Sequence, residues 1–190
     1  MLVLDNVTNL SQGLWYLSQV FDINTYRQIK KCYRETATNW QMLTPHRLMS
    51  LPNNPDYAYL REVALDIKVA VSELTGHQLR SLDQTIFVDL PGHQLTWHFD
   101  NNNYRVLLQV YCGDIPQPGM GTQWYLGDRN TELLERYGTD KIVDVTGLET
   151  VETAYAPNAG YINDNTVKKA HGTRRVPPGS SRESVLFTFG

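Results

Sequence analysis

A chain of 190 residues is long enough for one domain with a sizeable core, and its 41% hydrophobic and 11% aromatic content excludes a disordered chain. A formal charge of −3 supplies no electrostatic drive toward nucleic acid or an anionic membrane surface. No apolar run approaches the roughly 20 residues that span a bilayer, so neither partner class is expected.

The opening Met1-Leu2-Val3-Leu4-Asp5 lacks the basic and apolar regions of a signal peptide. Residues 14–21 read as a short strand or turn entering a helix, which Asp22 or Asn24 can cap. Tyr26, Ile29 and Tyr33 then recur at helical spacing as far as Thr36. Residues 38–54 carry Pro45, Pro52 and two asparagines, and are expected to be an irregular connection. A second helix runs from about Asp56 to Leu74, with Leu60, Val63, Ala64, Ile67, Val71 and Leu74 as its apolar stripe and Gly76 as its stop. Cys32 and Cys112 lie far apart in apolar company, which suits reduced thiols and a cytoplasmic location.

After residue 78 the pattern changes to strands. Leu82, Gln84, Ile86 and Val88 alternate with Asp83, Thr85, Phe87 and Asp89 before the turn at Pro91-Gly92. Further strands are expected at Leu95–Phe99, Tyr104–Cys112, Thr122–Leu126, Val151–Ala156, Tyr161–Asn163, His171–Val176 and Ser184–Phe189. Residues 128–150 read as an insertion with one short helix at Thr131–Tyr137. Helices first and many short strands after them predict an α+β chain. Its core would be a double sheet or jelly roll at about 78–190, backed by N-terminal helical support at about 20–76, in one domain.

The chemistry concentrates at Trp97-His98-Phe99-Asp100. On a strand, His98 and Asp100 leave the same face and aim an imidazole and a carboxylate at one point. With His171 as a third ligand they would make the two-histidine, one-carboxylate face of a non-haem Fe(II) oxygenase. His46 and His77 read as solvated, while His93, in the turn before the metal segment, is a weaker candidate for touching substrate or metal. Eleven residues beyond His171, Arg182 and Ser184 share one face of the last strand. A buried arginine is expensive unless it meets an anion, and a guanidinium beside a hydroxyl is shaped to hold a carboxylate. Lys168-Lys169 and Arg174-Arg175 flank His171 as a solvated rim. Alternatively they meet an acidic substrate or a co-substrate carboxylate, and Arg175 is the better placed of them if alternation holds.

Over residues 84–190 the chain resembles the Fe(II)/2-oxoglutarate-dependent dioxygenases, particularly their prolyl-4-hydroxylase-like branch. The resemblance is carried by Leu90-Pro91-Gly92, Trp97-His98-Phe99-Asp100, Tyr104-Arg105-Val106, Ala156-Pro157-Asn158-Ala159-Gly160, His171 and Arg182-x-Ser184. It implies a double-stranded β-helix and iron held by His98, Asp100 and His171, with the distal carboxylate of 2-oxoglutarate gripped by Arg182 and Ser184. It also implies hydroxylation of a C–H bond with succinate and CO2 as co-products. Fe(II), 2-oxoglutarate and O2 would be required, with ascorbate an optional addition. The substrate would be a prolyl or other peptide side chain, an amino acid or another small molecule.

Where many members of that branch have a co-substrate tyrosine before the Pro-Gly turn, this chain is read as having Leu90. Tyr111, Tyr104 and Trp124 are the remaining candidate co-substrate contacts. Strict alternation along that strand from the Arg105 match is instead read as putting Val110 and Cys112 on the pocket face, with Cys112 still read as a core thiol. The competing readings are a cupin-like metal-binding jelly roll without 2-oxoglutarate chemistry, and a non-enzymatic jelly roll whose His-x-Asp is accidental.

Overall fold

A computed structural model describes residues 2–35, 40–50 and 58–190. Eleven strands and three helices are present among them: β1 Val7–Ser11, β2 Leu14–Leu17, α1 Ile23–Glu35, β3 Trp40–Thr44, β4 Arg47–Ser50, α2 Ala58–Thr75 and β5 Ser81–Asp89. They continue with β6 Val106–Tyr111, β7 Thr122–Tyr125, α3 Asn130–Tyr137, β8 Thr150–Glu152, β9 Gly160–Asp164, β10 His171–Thr173 and β11 Arg182–Phe189. All recorded pairings are antiparallel. Eight strands form one sheet in the order β1-β2-β9-β6-β11-β5-β4-β3, and β10-β7-β8 form a second.

Both long helices follow from their sequence. Asp22 caps α1, its Oδ1 accepting the backbone N–H groups of Asn24 and Thr25 at 3.0 Å each. The predicted stripe of α2 is buried from Leu60 through Val71, and Leu74 is partly buried against the same core. Gly76 ends that helix in the left-handed region at φ 73°, donating to the Ser72 carbonyl at 2.8 Å. The predicted helix ends at Asp56 and Thr36 lie outside the described residues.

The large sheet divides its side chains by the two-residue period. Ile86, Val106, Leu108, Val110, Cys112, Ile162, Val185 and Phe187 join the helices in one core. Leu107, Tyr111 and Tyr161 face the other way and pack with Trp124 of the small sheet. Val110 and Cys112 therefore lie on the helix side, the reverse of the pocket-facing placement expected for them.

Two sequence expectations are corrected. Residues 40–50 are a hairpin rather than an irregular connection. Pro45 sits in its turn, where a missing N–H costs nothing, and β4 pairs with β5 from Arg47↔Asp89 to Ser50↔Ile86. The expected strand at Leu95–Phe99 is reduced to an isolated bridge, His98↔His171. Its carbonyls alternate partners, Leu95 accepting from Thr173, Trp97 from Val143 and Phe99 from Asp140. The stretch read as an insertion thus supplies backbone bonds to the metal segment. Phe99 is locked into a small core with Tyr125, Leu133 and Val143.

Close backbone approach fixes the sheet at Gly160, where an added Cβ would lie 2.1 Å from the Gln109 carbonyl oxygen. Gly160→Ala is expected to destabilise the fold by about 1–3 kcal/mol, measured by urea unfolding, because strands β9 and β6 must separate to admit the methyl group.

Candidate metal centre and its cavity

His98, Asp100 and His171 each bring a ligand atom to within 4.8 Å of the others, the one such group of three found among the described residues. The alternation along Trp97–Asp100 explains how. Phe99 turns into its core and anchors the segment, so His98 and Asp100 turn the opposite way. Paired backbone bonds, His98 N–H to His171 C=O at 2.9 Å and the reverse at 3.0 Å, bring the second histidine alongside. The Asp100 carboxylate bridges the two Nε2 atoms, each at 3.5 Å.

Both imidazoles are held in the tautomer a metal needs. His98 Nδ1 lies 2.8 Å from the Thr96 carbonyl and His171 Nδ1 lies 3.1 Å from that of Lys169. A carbonyl only accepts, so Nδ1 carries the proton and Nε2 keeps its lone pair toward the shared point. Trp124 stacks on His171, with centroids 4.6 Å apart and planes 25° apart, and fixes that ring from behind.

The electrostatics suit a cation. Burial pushes the Asp100 carboxyl up, but His171, His98 and the Tyr104 hydroxyl outweigh it and hold it well below the usual carboxylate range. Burial pushes His171 down, favouring its neutral, ligating form. Burial also lowers His98, but Asp100 and the Thr96 carbonyl reverse this and the net shift is upward. Lys168 ties the centre down, its Nζ donating to the Asp100 carbonyl at 2.7 Å and to Asn165 Oδ1 at 2.8 Å. Lys169 is buried and donates to the carbonyls of Gln12 and Val167. These two lysines are therefore structural ties, whereas Arg174 and Arg175 are exposed beyond the end of β10.

The three candidate ligands open onto a cavity of ≈ 320 Å³ between the two sheets. A larger hollow of ≈ 520 Å³, between Ser11, Asn130 and Lys169, is lined by no histidine or carboxylate. Ser184, Tyr104 and Trp124 line the metal cavity, as do Gln109, Tyr161 and Asn163. Two buried atoms of wall residues, the Trp124 indole N–H and Asn163 Oδ1, have no hydrogen-bond partner among the described residues. Tyr111 is fully buried behind the wall, and its hydroxyl is engaged by Thr122 and Thr153 at 3.1 and 2.8 Å.

Arg182 is 2% exposed and does not line the cavity. Its Nε and Nη2 donate to Asp89 Oδ2 at 2.8 and 2.5 Å, and Nη2 also to Thr173 Oγ1 at 3.1 Å. The same carboxylate accepts from Arg47 Nε and Nη2 at 2.5 and 3.0 Å. Register explains the row: Asp89 is opposite Arg182 in β11 and opposite Arg47 in β4. Burial alone would raise the Asp89 carboxyl, but Arg47 and Arg182 lower it. His93 lies 3.5 Å from Asp89, behind the row rather than at the metal, and burial pushes its imidazole down to about 4. Arg47 and Asp89 carry no motif in the sequence. The available signal was Asp89 itself, an acid on the same face as Thr85 and Phe87 at the end of the strand, after the apolar run Ile86-Phe87-Val88.

No protein-family model matches the chain, and a comparison with curated proteins found no match. Solved structures do match. The structure of HygX from Streptomyces hygroscopicus, with nickel and 2-oxoglutarate bound, aligns with a TM-score of 0.70 at 17% identity, over 94% of this chain and 83% of that one. A 2OG-Fe(II) oxygenase family oxidoreductase from Burkholderia pseudomallei aligns at 0.70 and 14% identity, over 94% and 84%. A Pseudomonas putida prolyl-4-hydroxylase aligns at 0.66 and 13% identity, over 94% and 92%. The fold is that of the 2OG-Fe(II) oxygenase structures.

Proposed function

We propose that this chain is a single Fe(II)- and 2-oxoglutarate-dependent oxygenase domain on a double-stranded β-helix, and that it hydroxylates a C–H bond. The observation that carries the reading is the convergence of His98 Nε2, an Asp100 oxygen and His171 Nε2 at the mouth of a cavity shared with Ser184 and Trp124. Three protein ligands are the right number for such a metal, because co-substrate and O2 need the opposite face. Bound there, Fe(II) with 2-oxoglutarate and O2 would supply oxidative decarboxylation to succinate and CO2 and the oxidation of a C–H bond.

The chain's own residues would do the holding. The carbonyls of Thr96 and Lys169 fix the two imidazole tautomers. Trp124 stacks on His171 and pins its ring. Tyr104, whose hydroxyl burial and Asp100 push far above its ordinary value, stays protonated and donates to that carboxylate. Charge at the two ends of the cavity also matches the co-substrate. A divalent metal with Asp100 leaves one positive charge, and Arg47, Asp89 and Arg182 leave another at the end marked by Ser184. A dianionic 2-oxo acid neutralises both.

A HygX structure also holds hygromycin B, which supports small molecules as first substrate candidates beside amino acids and prolyl peptides. Succinate release from 2-oxoglutarate, measured across such a collection with Fe(II) and air, tests the reading. Turnover with at least one compound that disappears without Fe(II) is expected. Binding of metal without 2-oxoglutarate would favour a cupin-like metal-binding jelly roll, and binding of neither a non-enzymatic one.

A further inference from the structure

We infer that Arg47, on β4, is the guanidinium that receives the distal carboxylate of the co-substrate, and that Asp89 is a built-in counter-ion which occupies Arg182 and aims Arg47. The inference rests on the oxygenase reading above and assigns the anion-binding end of the same cavity.

Arg182 is already satisfied. Its Nε and Nη2 are on Asp89, Nη2 also reaches Thr173, and Nη1 faces the Met120 carbonyl at 3.5 Å. It is 2% exposed, and a ligand would have to displace Asp89 from a two-point contact to use it. Arg47 stands differently. It lines the cavity, lies over the Phe87 ring with its guanidinium carbon 4.7 Å from the centroid, and turns only Nε and Nη2 toward Asp89. Among the described residues Nη1 has no acceptor, so one edge of the fork remains for an incoming anion. Ser184 lines the same cavity two residues along β11 from Arg182.

The charge count points the same way. Two guanidiniums share one carboxylate, and His93, the other titratable group against Asp89, is neutral at neutral pH. One positive charge is therefore left over at a poorly solvated end of the cavity. Such a charge is costly until an anion meets it. The cation–anion–cation row across β11, β5 and β4 is thus a cradle for one carboxylate, and Arg47 is its open side.

The test is calorimetric titration of the full chain loaded with Ni(II), which binds without turnover. The probes are 2-oxoglutarate and pyruvate, a 2-oxo acid that lacks the second carboxylate. The unsubstituted protein is expected to prefer 2-oxoglutarate. In Arg47→Gln that affinity should fall about 10- to 100-fold, the usual worth of a charge-assisted contact, while pyruvate binding changes little. Arg182→Gln should also weaken 2-oxoglutarate binding, because Asp89 then neutralises Arg47. The double variant Asp89→Asn with Arg182→Gln should restore it, since Arg47 is left charged and unmasked. An unchanged preference in Arg47→Gln, or no restoration in the double variant, overturns the inference. If Arg47→Gln does not fold, Arg47→Lys is titrated instead, and undiminished affinity there overturns it equally. Failure of the unsubstituted protein to bind either acid would overturn the oxygenase reading along with it, whereas binding with the Arg47 result negative overturns the inference alone.

Discussion

Asp100→Ala is expected to abolish tight metal binding and all 2-oxoglutarate turnover while leaving the fold intact. The carboxylate is the only anionic member of the three-residue group and lies between two imidazole nitrogens, 3.5 Å from each. Without it the two neutral rings, with centroids 4.5 Å apart, offer nitrogen ligands only and no charge to offset a divalent ion. Changes to groups that merely orient a ligand cost about 10- to 100-fold in metal affinity or activity, so loss of the ligand itself should exceed 100-fold. The fold should survive because Phe99, not Asp100, anchors the segment, and the paired bonds between His98 and His171 are main-chain bonds. Metal titration, succinate release and urea unfolding of the same preparation check the three parts. Retained turnover would remove Asp100 from the ligand set.

Asp89→Ala should have the largest effect on stability. It strips the one carboxylate from between two guanidiniums, one of them 2% exposed, and a buried charge left without its partner typically costs about 3–5 kcal/mol. At a urea slope near 2 kcal/mol/M this lowers the midpoint by roughly 2 M. The pH dependence has a definite sign. Arg47 and Arg182 depress the carboxyl's folded value, so its stabilisation is fully present above the unfolded value of about 3.9 and is lost as pH falls toward the folded one. In the metal-free protein, Asp89→Ala should therefore lose stability less steeply than the parent as pH drops below about 5. A midpoint change worth under about 1 kcal/mol would mean the row is solvated and worth no more than a surface pair.

Local pattern made some of this architecture legible and hid the rest. The stripe from Leu60 to Leu74 and the alternation from Gln84 to Val88 were readable because one element buries one face against one core. The His-x-Asp spacing was informative even though Leu95–Phe99 is not a regular strand, because alternation between Phe99 and its neighbours survives without a continuous ladder. The hairpin at 40–50 was hidden. Its residues are mostly exposed, its turn holds Pro45, and its role is to present Arg47 opposite Asp89. β1 was hidden for the same reason, as a polar strand at the edge of the large sheet that needs no apolar alternation. The sequence argument that a buried arginine must find an anion applies to Arg182, and inside the fold that anion is Asp89. Which acid lies opposite which base across strands is a matter of register, and register is set by the whole sheet.

The proposed chemistry turns on a single ion position. Crystals prepared with Fe(II) and 2-oxoglutarate without oxygen, measured at the iron absorption edge, locate it directly. The expected result is one anomalous peak about 2.0–2.2 Å from His98 Nε2, an Asp100 oxygen and His171 Nε2, distances typical of nitrogen and oxygen ligands to such metals. A peak elsewhere, or His171 turned away from the other two side chains with no metal between them, would contradict it.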